Sequence, residues 1–203
     1  KDVVSISSAA RMKGKLKRRW PLNEAQICVK KNQKAKLESL SDLLKSQLNV
    51  EKFNIIETEE DSGLEQLLEL KKLGLPVKVT LELERKKIGP KAKQHMGKLV
   101  STFLETNPDE IIPILEKDGK YDFNIDDQKI SLDKEDFIVD FDAGDNFAVA
   151  KRDDFTVFIS TLRNKEMMAK GLVKDIARRL QTLRKERGYN PTDVLEVASI
   201  LEL

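Results

Sequence analysis

The sequence predicts an α+β fold, in which a mixed βαβαβ unit is followed by helices, an antiparallel β meander and a long C-terminal helix. Strand-like residues at 25–29, 50–57 and 77–84 are separated by leucine-rich segments at helical spacing. Further strand-like segments crowd residues 121–160, and residues 165–187 contain no proline. With 203 residues, the chain is long enough to bury one or two hydrophobic cores.

The βαβαβ unit is predicted over residues 21–86. Residues 25–29 alternate apolar and polar side chains, as a half-buried strand does. The leucines that follow recur at spacings of three and four, which predicts one helix ended by Asn49. These leucines are Leu37, Leu40, Leu44 and Leu48. A second helix is expected at residues 64–73, before the third strand.

Residues 87–203 are predicted to form helices, an antiparallel sheet and a basic C-terminal helix. The Gly-Pro step at 89–90 should break the preceding strand, and Asn107-Pro108 should begin a short helix. Residues 121–125 should pair with residues 130–132 across a tight turn, and the next strands should continue the meander.

The last helix is predicted from Lys165 to Arg187, with Gly188 as its C-terminal cap. At 100° per residue, its large apolar side chains share one face, which we expect to pack against the protein. They are Leu172, Val173, Ile176, Leu180 and Leu183. Most cations of this helix lie nearly opposite that apolar face. A solvated surface helix and an RNA-facing helix both account for this pattern.

The net charge of +2 conceals two basic segments around an acidic one. The first basic segment carries six cations and no acid, and Trp20 follows it. Its cations are Arg11, Lys13, Lys15, Lys17, Arg18 and Arg19. The second is the C-terminal helix. From Glu105 to Asp145 there are fourteen acids and four bases, so that region should face away from a polyanion.

Several classes of protein are excluded by what the sequence lacks. It has no apolar run near the roughly 18 residues that a membrane span needs, and no Walker or GxGxxG loop. Cys28 and His95 are single, so neither a disulfide scaffold nor a His-rich metal cage is expected, and a cytoplasmic setting is the default. The chain begins at Lys1 and stops in an apolar stretch, so we expect an excised fragment.

Three blocks of sequence resemble class I isoleucyl-tRNA synthetases of the archaeal and eukaryotic type. SSAARMKGKLKRRWPL at 7–22 is similar to the segment that leaves the anticodon-binding helical bundle, and RKKIGPKAKQHMGKLVSTFLETNPDEI at 85–111 is similar to a C-terminal stretch. The strongest likeness is EMMAKGLVKDIARRLQTLRKERGYNPTDVLEV at 166–197. Lys170 and Lys174 depart from the family's Glu and Arg. Valyl and leucyl relatives remain alternatives.

The resemblance implies a parent enzyme that attaches isoleucine to its tRNA using ATP with Mg²⁺, with zinc as an open alternative. It assigns residues 1–20 to the basic tail of the preceding bundle and implies no cofactor in this segment. The His-x-Gly-His and Lys-Met-Ser-Lys-Ser motifs have no counterpart here. The expected partners are isoleucine tRNA and the helical bundle and catalytic body of the parent.

We therefore predict a non-catalytic, anticodon-side tRNA-binding region. The first basic segment would contact phosphates, and cations of the last helix would form a second contact: Lys174, Arg178, Arg179, Arg184 and Lys185. Trp20 is either a stacking platform for a base or an anchor in the core. The alternative function is a structural module that docks on the synthetase body or on a protein partner.

Overall fold

The computed structural model describes residues 2–60, 62–126, 128–152, 154–190 and 192–194. The α+β class is confirmed. The helices are α1 (Asp2–Lys13), α2 (Lys31–Glu38), α3 (Ser41–Leu48), α4 (Gly63–Lys72), α5 (Arg85–Ala92), α6 (Met96–Glu105), α7 (Pro108–Asp118) and α8 (Lys165–Glu186). The strands are β1 (Leu22–Lys30), β2 (Val50–Thr58), β3 (Val77–Leu83), β4 (Lys120–Ile125), β5 (Gln128–Asp133), β6 (Phe137–Ala143), β7 (Phe147–Arg152) and β8 (Phe155–Ser160). Residues 195–203, the end of the last predicted segment, lie outside the described residues.

A four-stranded sheet in the order β2-β1-β8-β7 forms the centre of the fold, and we call it the main sheet. β1 and β2 are parallel, as a βαβ unit requires, whereas β8 runs antiparallel to both β1 and β7. The third strand of the predicted unit leaves this sheet, since β3 pairs with β6. The predicted β4–β5 hairpin is confirmed, but the later strands do not continue from it as one meander.

Two hydrophobic clusters cover opposite faces of the main sheet. Successive side chains of a strand point to opposite faces, so Ile27 of β1 joins one cluster with α1 and α3 while Cys28 joins the other. The second cluster contains α4 to α7 and the strands β3 to β6. The acidic segment therefore packs on the face opposite α1.

The assignment of residues 1–20 to the basic tail of a preceding helical bundle stays a prediction, and most of this segment packs on the main sheet. Residues 2–13 form α1, which packs on β7 and β8 through Val3, Ile6 and Ala10, each at most 4% exposed. The segment then leads into β1 of the main sheet. Arg11 joins it to the rest of the fold, since its guanidinium donates hydrogen bonds to the backbone oxygens of Trp20 and Asn49. The boundary predicted after residue 86 stays a prediction, although the main sheet takes strands from both sides of it.

The helix α8 is present as predicted, but its predicted packing face is wrong. Only Met167 and Gly171 of this helix are buried. The apolar face is largely solvent-exposed, with 55% exposure at Leu172, 64% at Val173 and 47% at Leu183. The helix instead contacts the protein through a narrower stripe that contains a glycine. None of the described helices is long and apolar enough to cross a membrane.

Local end signals are confirmed where the sequence carries them. Asn49 ends α3 in the left-handed conformation, the Asn107 side chain caps α7, and Gly188 follows α8 with a positive φ. Two predictions of where elements end are wrong. The leucine stripe at 37–48 is divided between α2 and α3, and the Gly-Pro step at 89–90 lies inside α5.

Candidate nucleic-acid interface

The first basic segment forms the connection between α1 and β1. We call residues 13–19 the basic loop. Five of the predicted contact residues are exposed along it: Lys13, Lys15, Lys17, Arg18 and Arg19. The backbone at Lys15 is left-handed, with φ of 52°, and Leu16 is buried. The loop is thus anchored by one apolar side chain while its cations face solvent.

Arg11 does not belong to this exposed set, which corrects the prediction for this residue. It is 4% exposed, and its guanidinium donates to the backbone oxygens of Lys17, Trp20, Leu48 and Asn49 at 2.7–3.3 Å. Burial, with a smaller contribution from Arg18, lowers the pKa of Arg11 to about 10. Arg11 is charged at neutral pH, but its hydrogen bonds join α1, the basic loop and the end of α3.

Trp20 connects the basic loop to α8. Its indole Nε1 donates to Oδ2 of Asp175 at 2.9 Å, and Nζ of Lys17 donates to the same oxygen at 2.9 Å. The ring is half-buried against Gly171, and the cations of Lys17 and Arg163 lie 4.9 and 5.4 Å from its centroid. The structure therefore supports the anchor interpretation of Trp20 and leaves stacking on a base untested.

Asp175 is the acidic group through which α8 contacts Lys17 and Trp20, and we call this contact the junction at Asp175. Its hydrogen bonds from Lys17 and from Trp20 lower the pKa of the carboxyl below its usual value. The carboxylate is therefore ionised at neutral pH and accepts both donors. The basic loop and the middle of α8, which were predicted as separate RNA contacts, are thus joined at Asp175 through Lys17.

Two lysines of α8 reach across a groove to α3 and β2. Lys174 donates to Oδ1 of Asn49, whose amide nitrogen donates to the backbone oxygen of Arg19, each at 3.0 Å. Lys170 forms ion pairs with Glu51 at 2.8 Å and Glu166 at 2.7 Å. The groove between α8, α3 and β2 has a volume of about 900 Å³. Its charged rim contains both lysines and carboxylates, so it is less cationic than the basic loop.

Three of the predicted cations on the second half of α8 are exposed: Arg178, Arg179 and Lys185. Arg184 is half-buried instead, because its guanidinium donates to the backbone oxygens of Asn190 and Asp193. The exposed cations follow Asp175 along α8 by three to ten residues, and the basic loop contacts Asp175 through Lys17. Arg184 secures the chain after the helix and is less available to a ligand.

The sequence did not identify Asp175, Asn49 and Gly171 as parts of this interface. Asp175 is an isolated acid in a basic helix, and it lies four residues after Gly171 and eight after the buried Met167. That spacing places Met167, Gly171 and Asp175 on one side of α8. An isolated small or acidic residue in such a stripe is the signal that would have indicated the contact face.

Two features of the described residues bear on catalytic chemistry: the grouping of metal-ligand side chains and the state of Cys28. No three His, Cys, Asp or Glu side chains of this part of the chain lie together in a way that could hold a metal ion. Cys28 is buried in β1, and desolvation, followed by the charge of Glu69, raises the pKa of its thiol to about 12. A thiol with that pKa is protonated and unreactive at neutral pH.

The relatives of this chain are aminoacyl-tRNA ligases. No protein-family model matches it. The curated protein from Bacteroides thetaiotaomicron is 27% identical over 97% of the chain, and those from Sulfolobus acidocaldarius and Pyrococcus abyssi are each 25% identical over 96% and 94% of it.

All three of these relatives are isoleucine–tRNA ligases. The resemblance to isoleucyl-tRNA synthetases is therefore confirmed over nearly the whole chain. The chain spans only 16–17% of the length of these relatives. It is similar to one segment of such a ligase.

Proposed function

We propose that this chain is a non-catalytic, anticodon-side tRNA-binding region of an isoleucine–tRNA ligase in the cytoplasm. The parent would attach isoleucine to its tRNA with ATP and Mg²⁺, bound outside this segment together with any zinc. The basic loop and α8 would add affinity and orientation. The helical bundle and the catalytic body of the parent would be its protein neighbours.

One observation carries this proposal: the two basic segments, far apart in sequence, meet at Asp175. Lys17 of the loop contacts α8 there, and Arg18 and Arg19 are exposed beside it. Exposed cations on one connected surface can follow a phosphate backbone, because each phosphate contact releases counterions. The apolar side chains of the acidic segment pack on the other face of the main sheet, although Asp140 is close enough to Lys13 for that lysine to make a small contribution to the lowered pKa of its carboxyl.

Different groups of this surface are expected to contact different parts of an RNA. Cations of the basic loop meet phosphates, which position an RNA without reading its sequence. Base identity requires stacking or hydrogen bonding to base edges. Since Trp20 is held against Gly171, we assign stacking to the exposed guanidinium groups of Arg178 and Arg179, with Trp20 as the anchor.

A second candidate function is docking to the synthetase body or to a protein partner. The observation that favours it is the exposed apolar face of α8, formed by Leu172, Val173, Ile176 and Leu183. A helix face of this kind fits an apolar groove on another protein. The two functions use different sides of α8, so variants can separate them.

The test is a binding titration with isoleucine tRNA and an unrelated tRNA at two salt concentrations. We expect preferential, salt-sensitive binding of the isoleucine tRNA by the unaltered chain. In the Arg18→Glu/Arg19→Glu variant, binding should weaken, and the slope of log affinity against log salt should fall by about 2, one for each lost phosphate contact.

The matched control is Lys117→Glu/Lys120→Glu, which makes the same charge change at exposed positions of the acidic segment. This control should bind as the unaltered chain does. Equal losses in both variants would mean a response to net charge alone. Unchanged affinity and slope in Arg18→Glu/Arg19→Glu would exclude the basic loop, and no binding by the unaltered chain would favour the docking function.

A further inference from the structure

The attachment of α8 to the protein depends on very few residues. Met167, Gly171 and Asp175 lie at intervals of four, so they form one stripe along the helix. Met167 and Gly171 are buried, and Asp175 is half-buried. Of these, Gly171 and Asp175 both contact Trp20. We call Trp20, Gly171 and Asp175 the Trp20 latch.

Gly171 is required by the close approach of the indole ring. A Cβ atom at this position would lie 2.8 Å from both Cε3 and Cγ of Trp20, and closer still to Cδ2. These are atoms of a rigid ring rather than the end of a flexible side chain, so either the ring or the helix must move to admit a methyl group. Any residue larger than glycine should displace α8.

Trp20 is also held in place by hydrogen bonds to its own backbone oxygen and to that of the preceding residue. Its backbone oxygen accepts a hydrogen bond of 3.0 Å from the buried guanidinium of Arg11. The preceding residue, Arg19, has its backbone oxygen bound at 3.0 Å by the side-chain amide of Asn49. The indole is therefore presented by a backbone that is tied to α1 and to the end of α3, and it can position whatever it contacts.

We propose that the Trp20 latch positions α8 so that its exposed arginines and the basic loop form one RNA-binding surface. This inference rests on the proposed function. Trp20, Gly171 and Asp175 are positioning residues, because the cations on either side of them make the contacts. Release of the latch would remove no cation from the chain, but the distances between the cations would no longer be fixed. Two linked contacts bind more tightly when their spacing is preset.

The latch contains its own reporter. Trp20 is the single tryptophan of the chain, so fluorescence excited selectively at tryptophan, and not at the two tyrosines, reports only its environment. In Gly171→Ala, we expect the emission to shift to the red and acrylamide to quench it more strongly, as the ring becomes exposed. Alanine favours helix more than glycine does, so this change cannot be attributed to a weaker helix. Gln181→Ala, at an exposed position of α8, is the control and should change neither signal.

Asp175 provides a second, milder pair of variants. Asp175→Asn keeps an oxygen that can accept from the indole nitrogen, whereas Asp175→Ala removes the acceptor. Both lose the ion pair with Lys17. Because the side chain is at the surface, neither change should unfold the chain. We expect Trp20 to become slightly more accessible in Asp175→Asn, which loses only the ion pair with Lys17, and more accessible still in Asp175→Ala, which also loses the acceptor for the indole nitrogen.

The positioning role is tested by a double-mutant cycle with isoleucine tRNA. Arg178→Ala/Arg179→Ala should weaken binding about tenfold or more in the unaltered chain. In the Gly171→Ala background, where α8 no longer holds these arginines in place, the same change should have less than half of that effect on log affinity. Gly171→Ala alone should also weaken binding, whereas Gln181→Ala should not.

The outcomes separate the two proposals. Unchanged Trp20 fluorescence in both Gly171→Ala and Asp175→Ala would overturn the latch. Exposure of Trp20 with additive effects in the cycle would overturn its role in positioning while leaving the tRNA-binding proposal intact. If the unaltered chain binds no tRNA, the proposed function and the positioning role both fail, and the fluorescence series shows by itself whether the latch holds α8.

Discussion

The helices α1 and α8 contrast in how their sequences relate to their packing. The large apolar residues of α8 form a clear stripe, yet most of that stripe is exposed. In α1, the buried side chains are few and several are small: Val3, Ile6, Ser7, Ala10 and Arg11. Nevertheless, α1 packs across β7 and β8 and closes one cluster of the core.

The difference shows that burial depends on the surface a helix meets as well as on its own pattern. Ala10 is fully buried because its small side chain lets α1 approach the sheet closely. A close approach of α8 to the rest of the fold likewise occurs at its smallest residue, Gly171 against Trp20. The larger apolar residues of α8 lie beside this contact, where no other element of the described part of the chain covers them.

The largest effect that would sharpen this contrast is expected at Ile6. Ile6→Ala should lower the free energy of unfolding by about 2–5 kcal/mol, since it removes buried methylene groups and leaves a cavity between α1 and the sheet. Ile176→Ala in α8, where the side chain is 37% exposed, should change it by less than about 1 kcal/mol. Urea unfolding measures both, and equal losses would contradict the contrast.

A smaller loss is expected when Arg11 is truncated. Arg11→Ala should destabilise the chain by about 1–3 kcal/mol, because buried carbonyl oxygens at the end of α3 and in the basic loop lose a donor. Arg18→Ala, at an exposed position, should stay within about 0.5 kcal/mol of the unaltered chain. Thermal or urea unfolding compares the two, and the reverse order would return Arg11 to the predicted RNA contacts.

Acid should release α8 before it affects α1. The pKa of Asp175 is lowered in the folded protein, so its stabilising contribution is complete above the pKa of an unfolded aspartate and is lost as the pH falls through the lower, folded value. Trp20 fluorescence should therefore change in that acidic range while amide exchange in α1 stays slow. In Asp175→Asn this step should be absent, and its persistence would show that another carboxylate controls the change.

The smallest effect is expected on the exposed face of α8. Leu172→Ser and Leu183→Ser should each alter the free energy of unfolding by less than about 0.5 kcal/mol, because both side chains are about half exposed. They should leave tRNA binding unchanged as well. A larger loss of stability would mean that this face packs in solution. Loss of binding to the synthetase body, with tRNA binding intact, would support the docking function.

Much of the fold could be predicted because its signals are local. Alternation identifies β1, the β4–β5 hairpin follows from two strands and a short turn, and Asn107 caps α7 with its own side chain. The pairing of β3 with β6 and of β1 with β8 could not be predicted. Alternation determines which face of a strand is apolar, but it carries no information on which distant strand lies beside it.

The candidate site also contains some features that the sequence predicts and others that it does not. Exposed cations on the basic loop and on α8 were predicted, since runs of like charge avoid burial. The exceptions are Arg11, which four backbone oxygens hold inside, and Arg184, which is half-buried. The junction at Asp175 joins residues more than 150 positions apart in sequence, and no local pattern indicates such a contact.

The sequence by itself determined the α+β class, most element positions, the separation of charge and the likeness to isoleucine–tRNA ligases, because each depends on residue order or on short-range periodicity. Only the tertiary structure decided which helix is buried, which arginine is structural and how α8 is held. Those outcomes depend on contacts such as Gly171 against Trp20, where the size of one residue matters only because of the partner that the fold brings to it.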